Sequence, residues 1–167
     1  MGRRFRGESV HKVDGKGRVS IPAQFRRVLE EGDPDWTPGA NPNLVIIYGR
    51  KGRKCLEGYS IAAVESLDDE VEALPRFSPE REMMERMFNT QSIYAQVDEN
   101  GRIVLPAKLR ERIGIDGEAV FAGMGEKFQI WAPEDFGADM EAIDEIVESP
   151  QDEADFFAGL RKTRGGG

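Results

Sequence analysis

Residues 13–26 of this chain, VDGKGRVSIPAQFR, return at residues 97–110 as VDENGRIVLPAKLR, an offset of 84 with seven identities in fourteen positions. Four further pairs are conservative: Val19/Ile103, Ile21/Leu105, Gln24/Lys108 and Phe25/Leu109. An offset of half the 167 residues means two copies of one module, and such self-similarity constrains a fold more than any single motif does. Two copies of an asymmetric unit usually pack about a pseudo-twofold axis, so the expected domain is a pseudodimer.

Each copy reads mechanically. Asp14-Gly15-Lys16-Gly17 and Asp98-Glu99-Asn100-Gly101 lie between β-prone residues and carry the turn chemistry of a tight hairpin. Residues 18–21 and 102–105 are the return strands, which Pro22 and Pro106 end by lacking an amide donor; both prolines then suit the first helical position. A short amphipathic helix follows, stopped by Gly32 or Gly114. A second hairpin comes next in each copy, strands 44–48 and 55–59 around a GRKGRK turn, then 119–122 and 128–131 around GMGEK. An acidic helix closes each copy, over 60–74 and 133–148. A half of this size buries too little surface alone, so the two must share one barrel-like core with hairpins swapped across the pseudo-axis. Between them Ser78-Pro79 opens a packed linker helix with Met83, Met84, Met87 and Phe88 near one face, a filler pattern rather than a ligand site. Loop 32–43 is ordered, with Trp36 exposed or docked on a neighbour, and the tail from Arg161 is expected to be disordered. The organisation expected is a first repeat over 4–74, a linker helix over 75–92, a second repeat over 93–148, and a C-terminal helix and flexible tail over 149–167.

Composition enters as a set of exclusions. Cys55 and His11 are the single cysteine and single histidine, too few for a disulfide, a structural zinc site or a histidine-based nucleophile system. Neither GxxxxGK[ST] nor GxGxxG occurs, so no phosphate-cradling motif is present. No apolar run reaches the eighteen residues a membrane-crossing helix needs. The start, MGRRFRGE, lacks an apolar stretch and a cleavage pattern, which sets the expectation of a cytoplasmic protein. No enzyme, cofactor, metal or small-molecule substrate is expected.

The net charge of −8 argues against nucleic acid until the chain is divided. Residues 1–60 hold 12 Lys+Arg against 7 Asp+Glu, whereas residues 61–167 hold 11 against 24. Within residues 1–27 eight basic residues face two acidic ones. A basic face on an acidic body is what steering toward phosphate requires, because the local field decides binding. A merely solvated charged face is the competing reading.

The paired Asp14-x-x-x-Arg18 and Asp98-x-x-x-Arg102, each followed four residues later by proline, resemble the signatures of the MraZ family. The RFRGE start, the SIP and VLP strand ends and Phe128-Gln129-Ile130-Trp131 match its layout, and the resemblance runs from about Arg4 to Glu148. Each half is also similar to the AbrB-type DNA-binding module. The resemblance implies a β-rich α+β fold, the internally duplicated swapped-hairpin barrel of the AbrB superfamily with flanking helices. It further implies a nucleoid-associated bacterial transcription factor that binds short direct repeats in double-stranded DNA. Those repeats would lie in the promoter of the cell-division and cell-wall gene cluster that includes its own gene. It also implies rings of about eight or more subunits, a geometry that would engage direct repeats by avidity.

Carried over residue by residue, the resemblance makes Arg18, Arg26 and Arg27 DNA-contacting, with Lys12 beside them. Lys16, Arg4 and Arg6 join them from the basic segment, and Arg102 from the second copy. His11 stands where the module tends to carry Arg, which would leave a weaker, pH-sensitive contact. Gly17, Gly101, Pro22 and Pro106 shape the motif. Asp14 and Asp98 either accept turn amides or pair with their arginines. The second hairpin is much less basic, with Glu99, Asn100 and Glu111 where the first has Gly15, Lys16 and Arg27, so the first copy is favoured for DNA. Arg50 to Lys54 form either a phosphate-contacting tip or a solubilising edge. A ring-forming scaffold whose acidic helices dock proteins, without nucleic acid, is the alternative function.

Overall fold

The computed structural model describes residues 3–165, in two compact units over 1–133 and 134–167, each described by itself. In the first, the strands are β1 Glu8–Lys12, β2 Arg18–Ser20, β3 Asn43–Ile47, β4 Cys55–Ser60, β5 Ser92–Gln96, β6 Arg102–Val104, β7 Glu118–Gly123 and β8 Lys127–Trp131. The helices are α1 Ala23–Glu31, α2 Ile61–Glu72, α3 Pro79–Glu85 and α4 Ala107–Arg112.

Pairing runs between the copies. The main sheet is antiparallel in the order β1-β7-β8-β4-β3-β5, and β2 pairs with β6 in a separate ribbon. Thus β1 of the first copy lies on β7 of the second, while β5 of the second lies on β3 of the first. The expected hairpins do turn, with the Gly17 amide donating to the Asp14 carbonyl, but they do not zip beyond the bridge of Val13 with Val19. The expected barrel is not closed either. β1 and β5 are free edges of the ladder, because β2 and β6, three residues each and ended by Pro22 and Pro106, pair only with one another.

Alternation sorts the sheet into two faces. One carries Leu44, Ile46, Leu56, Phe121, Phe128 and Ile130 into a core completed by Phe5, Phe25, Leu29, Val97, Ile103 and Leu105. Four phenylalanines knit it, Phe5 meeting Phe25 and Phe128 edge-on at centroid distances of 5.2 and 5.1 Å. Gly58 is opposite Phe128 in the ladder, and any Cβ there would lie inside that ring. The other face carries Val45, Ile47 and Tyr59 beneath α2, with Phe88 alongside. Ser60 caps α2 by accepting from the Ala63 amide at 3.2 Å.

Pro22 and Pro106 occupy the N-cap rather than the first helical position; their carbonyls accept the first helical amides, and their extended backbone turns the chain out of the ribbon. Loop 32–43 is held by the buried Asp33 carboxylate, which accepts from the Asp35 amide and, at 2.8 Å, from the Asn43 amide. Trp36 folds back within that loop, its indole donating to the Ala40 carbonyl. The linker is less packed than its methionines suggest. α3 passes into a π-helical turn over Arg86–Thr90, neither segment has a fully buried residue, and Met83 is 53% exposed. In the second unit α5 reaches Ile146 and α6 is Pro150–Gly165, opened by a reciprocal cap in which Ser149 Oγ accepts from the Asp152 amide and Asp152 accepts from the Ser149 amide. The tail expected from Arg161 is therefore helical to Gly165, and residues 166 and 167 lie outside the described residues.

Replacing Phe128 by Ala should lower unfolding free energy in urea by about 3–5 kcal/mol, since the ring fills the centre of the core. Gly58→Ala should cost about 1–3 kcal/mol by overpacking against the same ring. A neutral Gly58→Ala would mean that β4 does not press on Phe128.

Candidate nucleic-acid interface

The ribbon of β2 and β6 presents the motif arginines. Val19 opposite Ile103 points into the core, so Arg18 and Ser20 of one strand and Arg102 and Val104 of the other share the outward face. Arg18 is opposite Val104 and Arg102 is opposite Ser20, which sets the two guanidiniums diagonally across the centre of the ribbon. The structure thus brings together two residues that lie 84 apart in sequence.

At each end of the ribbon an aspartate holds a turn. Asp14 Oδ1 accepts from the Lys16 and Arg18 amides at 3.0 and 2.9 Å, and Oδ2 accepts from Arg18 Nε at 2.6 Å. Asp98 accepts from the Asn100 and Arg102 amides at 2.8 and 2.9 Å, but its ion pair with Arg102 Nε is longer, 3.5 Å. The open alternatives for the aspartates therefore resolve to both roles at once. The Arg18 and Arg102 amides foremost hold the two carboxyls below the usual range. Pairing through Nε leaves the terminal nitrogens of Arg18 as the part that reaches outward, on a side chain 40% exposed.

The turns interlock with the opposite copy. The Leu105 amide donates to the Gly17 carbonyl at 2.8 Å, and the Ile21 amide to the Gly101 carbonyl at 3.0 Å. Gly17 has φ +83°, and a Cβ on it would overlap the Leu105 carbonyl, so two constraints demand glycine there. Arg26 donates to the Asp98 carbonyl at 3.2 Å and pairs with Glu30, placing it beside the second turn. Its counterpart Arg110, which the charge argument passed over although the repeat aligns it with Arg26, donates to the Leu105 carbonyl at 2.9 Å beside the first turn.

The remaining sequence candidates scatter. Lys12 and Lys16 are exposed at the end of β1 and on the first turn, and Arg27 is exposed on α1. His11 points the other way. Its ring meets Phe121 edge-on at 5.2 Å, it shares a 2.7 Å hydrogen bond with Ser9 Oγ, and burial lowers its pKa. Arg4 and Arg6 flank Phe5, which bridges to Gly125 at the β7–β8 turn. They stand at the far end of β1 from the Asp14 turn, on the order of 20 Å away at strand rise. The GRKGRK turn is drawn back on the sheet: Arg50 reaches the buried Glu57 at 3.3 Å, and Arg53 lies over Trp131 at 5.6 Å. That engagement favours the edge reading for those two cations.

Burial pushes the Cys55 thiol up to about 11, which keeps it protonated and unreactive near neutrality. Among the described residues no group of three or more His, Cys, Asp or Glu could hold a metal ion, and no helix is long and apolar enough to cross a membrane.

Comparison with known proteins gives one consistent result. The family model described as "MraZ protein, putative antitoxin-like" matches residues 4–87 and 90–156. A protein of Ruegeria pomeroyi named transcriptional regulator MraZ is 56% identical over 153 residues, 89% of this chain and 92% of its own. One of Cereibacter sphaeroides with the same name is 41% identical over 170 residues, 98% and 99% of the two chains. A third, from a Roseiflexus species, is 34% identical over 84% and 89%.

The lowered carboxyl pKa values have a definite sign. They stabilise the fold above the ordinary aspartate value of about 3.9, and that contribution is lost as pH falls through the lower folded values. A double Asp14→Ala, Asp98→Ala variant should therefore melt below wild type at pH 6, and the gap should shrink as pH drops below about 3.9. A gap that stays constant to pH 2 would remove the carboxylates from the account.

Proposed function

The chain belongs to the MraZ family, and from that premise we propose that it is a sequence-specific DNA-binding transcriptional regulator. The observation that carries this reading is the ribbon: two arginines diagonal on its outward face, held by aspartates at both ends, on a support whose other face is core. A two-stranded ribbon fits the major groove, and arginine is the side chain best matched to guanine edges there. Arg18 and Arg102 take the base-reading role, with Lys12, Lys16 and Arg27 on phosphates. Arg26 acts by fixing the second turn. Arg4 and Arg6 stand apart and reach phosphate only if the duplex extends along β1.

The cross-copy strand pairing supports reading the fold as the swapped-hairpin, AbrB-like type within one chain. The regulator works in the cytoplasm at the nucleoid, on direct repeats in the promoter of the cell-division and cell-wall gene cluster that includes its own gene. It acts as a ring of about eight or more copies, each offering one ribbon. The scaffold alternative is favoured by the exposed acidic helices, and ionic strength separates the two. Neutralising six to ten phosphates makes duplex affinity fall by roughly a thousandfold or more between about 50 and 200 mM salt, whereas a scaffold has no such slope.

Arg18→Ala should abolish binding to the chain's own upstream region, measured by gel shift, while mass and melting temperature stay at wild type. A lost guanine contact costs about 1–3 kcal/mol per engaged subunit, multiplied across the assembly. Arg102→Ala should have a smaller effect, because Glu99 and Asn100 adjoin it where Gly15 and Lys16 adjoin Arg18. Equal loss from both variants in intact assemblies would assign the two arginines equal parts. An Arg18→Ala protein that melts early would make that residue structural.

A further inference from the structure

The outward face of the ribbon carries Arg18 and Ser20 from β2 and Arg102 and Val104 from β6. Under the offset of 84 the two arginines are equivalents, and so are Ser20 and Val104. The ribbon therefore departs from its own pseudo-twofold symmetry on this face, with a hydroxyl in one copy where the other has an isopropyl group. Val104 is 53% exposed, while its strand neighbour Ile103 is in the core. Single exposed apolar residues are ordinary on a protein surface. This one is set apart by its place, on the face that the proposed function lays against DNA and directly opposite Arg18.

The ladder fixes how near the two stand. Leu105 donates its amide to Gly17, and Ile21 donates to Gly101, so Arg18 and Val104 form one of the intervening pairs without mutual hydrogen bonds. Side chains approach most closely in such pairs, whose Cα atoms are about 4.5 Å apart. Asp14 takes Arg18 Nε at 2.6 Å, which draws the arginine back toward its turn instead of letting it stand out at full length. A short side chain beside it then reaches a base edge as well. Valine is stiff at χ1, so it loses little rotamer freedom when covered. In the major groove the base edges offer donors, acceptors and one apolar group, the C5-methyl of thymine. At about 3.4 Å per base step, the distance from Arg18 to Val104 spans one or two steps.

We propose that Val104 is a base-reading residue, its methyl groups packed on the C5-methyl of a thymine one or two base pairs from the guanine read by Arg18. Ser20 leaves the equivalent position on the other side without that preference. The ribbon thereby distinguishes its two orientations in the groove, and the site it prefers is not palindromic. This rests on the reading of the ribbon as the DNA-contacting surface and names a base that surface selects.

Duplexes selected by the full chain from a random pool test it. Wild type selects sites with a fixed thymine at that place. Uracil in its stead removes the methyl group and keeps every hydrogen-bonding group of the base, and affinity in a gel shift falls about fourfold, the worth of one buried methyl group. Val104→Ser binds the thymine and uracil duplexes equally, with wild-type melting temperature, and Val104→Thr, which keeps one methyl group, keeps part of the difference. An effect of uracil on DNA shape would persist in Val104→Ser, so the variant separates contact from shape. If Val104→Ser melts early, Val104→Thr against wild type replaces it. A wild type indifferent to uracil overturns the proposal and leaves DNA binding standing. A uracil penalty of wild-type size in Val104→Ser also overturns it, because another residue then reads the thymine. So does a sensitive thymine more than two base pairs from every guanine on which binding depends. A chain that selects no duplex overturns both this inference and the reading beneath it.

Discussion

Neither copy of the repeat can satisfy its own backbone. β1 turns back at Asp14, but β2 leaves it after a single bridge, so the amides and carbonyls of both strands depend on the other copy. The interlocked Gly17–Leu105 and Gly101–Ile21 bonds fix how the copies meet. Everything positioned at the ribbon follows from them: the placement of Val19 against Ile103, and with it the facing of Arg18 and Arg102. Where the strands are buried, as at Val19 and Ile103, backbone groups left unpaired would cost about as much as lost hydrogen bonds.

The aspartates add orientation to that frame. A free arginine on a strand samples many rotamers, and ordering it against any ligand costs entropy. Asp14 has already taken Nε at 2.6 Å, so the outer guanidinium edge is presented with less left to lose. The looser 3.5 Å pair at Asp98 leaves Arg102 less constrained, an asymmetry of orientation on top of the asymmetry in surrounding charge. The pairs themselves are exposed and contribute little to stability.

Much of this was readable from residues alone, for physical reasons that differ by element. The offset of 84 pointed to two copies, and strands of the two halves do pair, β1 with β7 and β2 with β6, although the ladder stays open where a shared barrel was expected. Turn residues located Asp14–Gly17 and Asp98–Gly101, because Gly at positive φ leaves a local signature. What pairs with what was not local. The ribbon's separateness, the open ladder and the diagonal of Arg18 and Arg102 depend on contacts between residues 45 to 114 apart. His11 looked basic in sequence and is turned against Phe121, since strand alternation decides its side of the sheet. Arg110 was visible in the repeat but hidden by a charge count that stopped at residue 27. Asp33 gave no signal, because an acidic residue in a Pro-rich loop reads as solvated until its acceptance of the Asn43 amide is seen.

The partnership of β1 with β7 also sets an order of events at the ribosome. Glu8 faces Ala122, so the strand made first waits for one made 114 residues later. At about 5–20 residues per second that delay is on the order of ten seconds. During it the nascent first half holds Leu44 to Ile47 in a hairpin with β4 whose outer edge, later taken by β5, is open. A chain whose halves complete each other therefore exposes an open strand edge for as long as its second half is unmade, which is the interval in which edge-to-edge pairing between nascent chains competes with folding.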